Sequence, residues 1–159
     1  MAKSAGARVV VLSRSPEKLE RARALGADDT LAIPPDGAYD RALWAWSGKQ
    51  GVDVVFDSAG AETVPRSLRA VARGGRVVII GATTGPQTTL DLRTLFWRQA
   101  SIRGSTMANA REFRAVLAEI ASGRLRPVVD SVHALEEAGD AFRRLESPDV
   151  FGKVVLRHS

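Results

Sequence analysis

Three short clusters in this sequence have residue types and spacing suited to holding a ligand: Ser13-Arg14-Ser15, Asp57-Ser58-Ala59-Gly60 and Gly81-Ala82-Thr83-Thr84-Gly85. The first offers hydroxyls and a guanidinium, which suit an anion. The other two are built from residues too small to block a flat group approaching the main chain, and they offer backbone donors. None of the three contains a nucleophile with a base beside it. Phe56-Asp57-Ser58-Ala59-Gly60 resembles a nucleophile elbow only in outline, because Phe56 stands where the strained turn needs its first glycine. Gly81 to Gly85 is not a phosphate-binding P-loop, since no Lys-Ser/Thr follows it, and no Gly-x-Gly-x-x-Gly occurs in the chain. No catalytic residue is assigned.

Each cluster is placed by the elements before and after it. Arg8 to Leu12, Val52 to Phe56 and Arg76 to Ile80 are short runs rich in Val and Ile, the pattern of strands buried on both faces of a parallel sheet. After the first, Ser15 is suited to cap a helix that opens on Pro16 with Glu17 in its first turn. Leu19, Ala22 and Leu25 share one face of that helix, and Gly26 stops it. Further helices are expected at 38–47, 62–72, 110–122 and 135–145, with strands at 28–33, 101–105 and 152–156. Gly74-Gly75 is read as the turn ending the third helix, and Pro127 to Val129 as a brief extended piece. Thr88 to Leu92 alternates apolar and polar residues like an extended edge, and Met1 to Ala5 reads as the tail of a helix. Strands alternating with helices of this length specify an α/β fold, a doubly wound parallel sheet with right-handed crossovers. In such sheets ligands lie beyond the carboxyl ends of the strands, where all three clusters fall.

Composition narrows the function. A chain of 159 residues with 45% hydrophobic content is sized for one domain with a real core. It has no cysteine and two histidines, His133 and His158, which excludes thiolate zinc sites and leaves no metal site of its own. No stretch approaches the roughly 18 apolar residues of a membrane helix, and the amino terminus lacks a signal-peptide core, so a cytoplasmic location is expected. The net charge of +5 comes from arginines interleaved with acids, as in Glu17-Lys18-Leu19-Glu20-Arg21, so solvated helix faces and not a nucleic-acid stripe are expected.

Five segments together resemble the medium-chain dehydrogenase/reductase family, in its quinone oxidoreductase and zinc-type alcohol dehydrogenase branch. They are Gly6-Ala-Arg-Val-Val-Val-Leu-Ser-Arg-Ser-Pro-Glu-Lys-Leu19, Leu25-Gly-Ala-Asp28, Gly51-Val-Asp-Val-Val-Phe-Asp-Ser58, Gly74-Gly-Arg-Val-Val-Ile-Ile-Gly81 and Phe151-Gly-Lys-Val-Val-Leu156. The resemblance runs essentially end to end. It implies that residues 1–159 are the carboxyl-terminal part of a Rossmann-type dinucleotide-binding domain, lacking its first strand and glycine-rich turn and without the amino-terminal catalytic domain. The absent strand would lie between Arg8–Leu12 and Val52–Phe56. It further implies that Ser13, Arg14 and Lys18 surround an adenosine 2′-phosphate, that Ser58 and Gly60 line the adenine-ribose side, that Gly81, Ala82 and Thr83 approach the nicotinamide, and that Lys153 lies near the cofactor's far end. Ile33 stands where quinone reductases often carry a tyrosine. With Ser13-Arg14 and no acid at the first strand tip, NADP(H) is expected over NAD(H). The activity implied is hydride transfer to or from a carbonyl, enone or quinone/alcohol, with the chain alone inactive; the alternative is a catalytically silent nucleotide-binding or dimerisation remnant. A homodimer through the Thr88–Leu92 edge is expected.

Overall fold

The structure is a computed structural model that describes residues 1–158. The described residues group into two compact units. One is Ala7–Met107; the other is Met1–Gly6 together with the chain from Ala108 on.

The larger unit holds β1 (Val10–Ser13), α1 (Pro16–Ala24), β2 (Asp29–Ala32), α2 (Tyr39–Trp46), β3 (Val52–Asp57), α3 (Val64–Ala70), β4 (Val71–Ile79), α4 (Leu92–Trp97) and β5 (Ser101–Gly104). β1 pairs with β2, and β3 with β4 and β4 with β5, always in parallel. No ladder joins β1 to β3, so the unit carries a two-stranded and a three-stranded sheet. The break falls between β1 and β3. On β3, the side chains of Val54 and Phe56 are 39% and 66% exposed.

Two apolar clusters hold the unit together. Tyr39, Leu43 and Ala70 gather Val10, Leu12, Leu31, Ile33, Trp46 and Val52 across the break. Thus α2 bridges the two sheets by side-chain packing where the backbone does not. Leu68, Val71 and Val77 form the second cluster, joined by Val55, Ile79, Leu90, Leu95 and Ile102. Leu43, Leu68, Val71 and Val77 are almost wholly buried, each contributing on the order of 2 kcal/mol of apolar transfer energy.

Three sequence expectations are corrected here. The third helix ends at Ala70, not Ala72, and β4 begins at once with Val71, so Gly74-Gly75 lies inside the strand. The register with β3 shifts between Val52 and Val54, and Gly74 takes φ +77°, so the glycines form a kink in the strand and not a helix stop. Residues 88–91 form no strand: Leu90 turns into the second core cluster and Leu92 opens α4. Lys3–Ala5 is a single 3-10 turn closed by Gly6 at φ +80°.

In the smaller unit, β6 (Val129–Ala134) pairs in parallel with β7 (Lys153–Arg157), and α6 (Ala138–Glu146) packs on both through buried Ala141. β6 is longer than the brief extended piece expected, and a 3-10 turn, Leu135–Glu137, replaces the start of the last helix. Arg144 makes a two-pronged ion pair with Asp130, whose Oδ1 also accepts from the Phe151 amide at 2.9 Å. Helix α5 (Ala110–Ala121) is fixed at its start by a capping box between Asn109 and Glu112. Its apolar side, Phe113, Val116 and Leu117, is exposed.

Candidate functional site

The carboxyl ends of β1, β3 and β4 carry eight of the nine residues proposed from the sequence. The ninth, Lys153, begins β7 in the smaller unit, and its side chain is exposed.

At the end of β1, Ser13 and Ser15 build the turn into α1. Ser13 Oγ accepts from the Ser15 amide at 3.1 Å, and Ser15 Oγ caps the helix by accepting from the Lys18 amide at 3.3 Å. This holds Lys18 one turn into α1, on a helix whose amino end favours anions. Arg14 sits between the two serines, exposed, with no carboxylate partner among the described residues. No acid occupies the strand tip.

The loops after β3 and β4 are laced into one platform. Ala59 O accepts from both the amide and the hydroxyl of Thr84, each at 2.7 Å. The Ala61 amide donates to Gly85 O, the Glu62 amide to Thr84 Oγ1, and the hydroxyls of Thr83 and Thr88 to Ser58 O and Ala61 O. The two glycines of the proposed site serve this lacing. Gly60 has φ +93°, and a Cβ there would lie 2.7 Å from Ala82 Cα; a Cβ on Gly81 would lie 2.7 Å from Ser58 O. Only residues without side chains permit this approach. A pocket of about 140 Å³ opens beside it, bordered by Gly60, Val64, Ala82, Leu90 and Ile102.

The expectation that both loops offer backbone donors is half corrected. The Ala59 to Glu62 amides are all consumed inside the platform, whereas those of Gly81, Ala82 and Thr83 find no acceptor among the described residues. Three successive donors on an open loop suit a ligand oxygen.

Sequence reasoning missed what lies beneath. Asp57, 4% exposed, accepts at Oδ1 from the Ala59 and Gly60 amides (3.1 and 3.0 Å) and from Thr63 Oγ1 (2.7 Å). Its Oδ2 accepts from Ser67 Oγ at 2.7 Å, and Ser67 lies 2.9 Å from the Tyr39 hydroxyl, which reaches Thr63 O at 2.7 Å. Burial pushes the Tyr39 phenol up to about 12. The legible signal was an acid closing an apolar strand, with Thr63 and Ser67 four apart on the following helix.

Asp40, also buried, is shared by Arg66 and Arg69 at 3.2 and 2.8 Å. Desolvation, the largest influence, raises its pKa, but the bonds and charges of the two arginines together bring it below the usual carboxylate value. Among the described residues no group of three His, Cys, Asp or Glu side chains could hold a metal. No helix among the described residues is long and apolar enough to cross a membrane.

Residues 1–122 match the family described as zinc-binding dehydrogenase. The zinc-type alcohol dehydrogenase-like protein C1773.06c of Schizosaccharomyces pombe is 32% identical over 158 residues, 97% of this chain and 46% of its own length. The crystal structure of an NAD-dependent alcohol dehydrogenase superposes with a TM-score of 0.89 at 42% identity, over 98% of this chain and 45% of that one. A variant of the crotonyl-CoA carboxylase/reductase AntE, in complex with NADP, gives 0.87 at 29% identity over 98% and 45%. The chain therefore spans slightly under half the length of these relatives. The Rossmann-type parallel strands, the laced loops at their carboxyl ends and these matches converge: the chain belongs to the zinc-binding dehydrogenases of the medium-chain dehydrogenase/reductase family.

Proposed function

We propose that this chain is the cofactor-binding portion of an NADP(H)-dependent oxidoreductase that moves a hydride to or from a carbonyl, enone or quinone/alcohol substrate. The observation that carries the reading is the set of strand ends: a Ser13–Arg14 tip without an acid beside a platform whose Gly81–Thr83 amides are unspent. The nicotinamide supplies the hydride when bound; the chain's residues bind and orient it. Arg14 and Lys18 give cations, and Ser13 a hydroxyl, for a 2′-phosphate. Ser58 and Gly60 underlie the adenine-ribose side, and the 81–83 amides face the nicotinamide. Relatives carry both cofactors in their names, so the preference rests on the Ser13–Arg14 tip alone.

The test is a titration of the chain with NADPH and NADH. A charge-assisted bond to phosphate is worth about 1.5–3 kcal/mol, so Arg14→Ala weakens NADPH by about tenfold or more and leaves NADH nearly unchanged. Equal losses for the two cofactors would make Arg14 a surface charge only. For the chain by itself we expect NADPH affinity no better than about millimolar, near −4 kcal/mol, and no turnover. Micromolar affinity, or turnover that Arg14→Ala destroys, overturns that expectation. A homodimer through 88–92 belongs to the same proposal. It rests now on Leu92, 66% exposed, and not on an extended edge. A monomeric mass at micromolar concentration sinks it.

A further inference from the structure

We propose that Asp57 is a positioning residue for the cofactor, acting through the Ala59–Gly60 turn on the Gly81–Thr83 amides; this deepens the cofactor-binding reading and rests on it. The two carboxylate oxygens divide their work. Oδ1 faces the loop and takes three donors: the amides of Ala59 and Gly60 and the Thr63 hydroxyl. Oδ2 faces the core and takes the Ser67 hydroxyl, itself 2.9 Å from Tyr39. No Arg or Lys pairs with Asp57 among the described residues, so hydrogen bonds alone compensate its buried position. A carboxylate with four directed donors has one orientation, and the turn bound to it inherits that orientation.

The consequence reaches the second loop. Drawing the Gly60 amide inward fixes the Ala59–Gly60 peptide plane and turns Ala59 O, on its opposite side, to receive both groups of Thr84. Thr84 follows directly on Gly81-Ala82-Thr83. Gly60, turned inward by the same carboxylate, leaves clearance for Ala82 at a separation that no Cβ would tolerate. The path from Asp57 through Ala59 to Thr84 thus decides where the three unspent amides point. Thr63 is diverted to the same end. It occupies the N-cap of α3, yet its hydroxyl donates to Asp57 and the cap itself has no side-chain bond. A helix start without its cap gives up that stabilisation, a cost set against the ordering of the loop.

The experiment is amide-resolved NMR of the chain titrated with NADPH, a method that reads millimolar binding residue by residue. In the parent chain, NADPH shifts the amides of Ser13–Lys18 and of Gly81–Thr83. Asp57→Asn keeps shape and size but replaces the Oδ2 acceptor with a donor. It weakens NADPH by about fivefold or more, and the Gly81–Thr83 response shrinks while the Ser13–Lys18 response per bound cofactor persists. A role confined to stability would lower the thermal midpoint and leave affinity per folded molecule unchanged. Should Asp57→Asn fail to fold, Thr63→Val, which removes one donor and leaves the carboxylate, is read in the same way. Affinity within twofold of the parent in the folded variant overturns the positioning role while the cofactor reading stands. No NADPH-induced shift at either loop of the parent overturns both.

Discussion

The two ends of the β3–β4 pair are built by opposite means. At the amino end, long side chains reach to the backbone: Trp44 Nε1 donates to Arg69 O at 2.6 Å, and Arg98 donates to Val71 O at 2.9 Å with its guanidinium 4.5 Å above the Trp44 ring. Gly74 closes the end by donating to Arg98 O. At the carboxyl end the connecting groups are amides and short hydroxyls, and Thr83 and Thr84 remain exposed. Large groups laid across a strand end shut it. Small groups laced beneath a surface hold it flat and leave it accessible. The difference separates the end that holds the fold from the end proposed to face a ligand.

Matched glycine substitutions would sharpen that contrast most. A Cβ on Gly51, at the amino end, would lie 2.7 Å from Ala72 N at φ +81°; a Cβ on Gly81 would lie 2.7 Å from Ser58 O at an ordinary φ. Gly51→Ala is expected to cost about 2–3 kcal/mol and lower the thermal midpoint by about 5–10 °C, with NADPH affinity per folded molecule unchanged. Gly81→Ala, by spreading the platform, is expected to abolish the NADPH response at Ser58 and at 81–83 with a smaller fall in midpoint. If both variants lose stability and affinity in equal proportion, the ends do not divide the work.

Arg98→Ala comes next. It removes the stack on Trp44 and the donor to the buried Val71 carbonyl, worth about 1–3 kcal/mol together. Denaturant unfolding should register that loss without any change in cofactor affinity. A matching loss of affinity would show that the amino end is not confined to stability.

The smallest effect is read by pH. Tyr39 is the chain's one tyrosine, so absorbance near 295 nm follows its phenol alone. Burial raises the folded value to about 12, against about 10 when unfolded. The neutral phenol is the form the fold favours, so its contribution is complete below pH 10 and is lost as pH rises toward 12. A titration midpoint near 10 in the folded chain would mean that the phenol is not buried as described. Asp40 runs the other way: its lowered value means that stability present above about pH 4 is lost only as pH falls further, and melts between pH 5 and 7 should not differ on its account.

The sequence made the alternation of elements legible because β1, β3, β4 and β7 are built on short Val/Ile runs and α1 is announced by residues at its own start. Ser15 and Pro16 act where local chemistry says they should. Gly74-Gly75 misled because the same two residues stop a helix or kink a strand; the choice is made by Arg98 and Gln99, some 25 residues downstream. Thr88–Leu92 misled because alternation reports one buried face, and Leu90 packs into the core without any ladder. The site divides likewise. Ser13 and Arg14 follow from strand-tip position alone, whereas the Asp57 clamp needs Tyr39 from the preceding helix and Ser67 from the next, partners that no local pattern joins.

The junction between α3 and β4 has no loop: Ala70 ends one and Val71 begins the other, both fully buried. One turn earlier, Ser67 spends its two groups in opposite directions, its hydroxyl on Asp57 and its carbonyl on the Val71 amide. The Val71 carbonyl in turn receives Arg98. Helix and strand therefore behave as a single strut pinned at both tips, with no slack in which a displacement could be absorbed. The two elements are expected to open as one cooperative unit, the amides of α3 and β4 sharing a single protection from exchange.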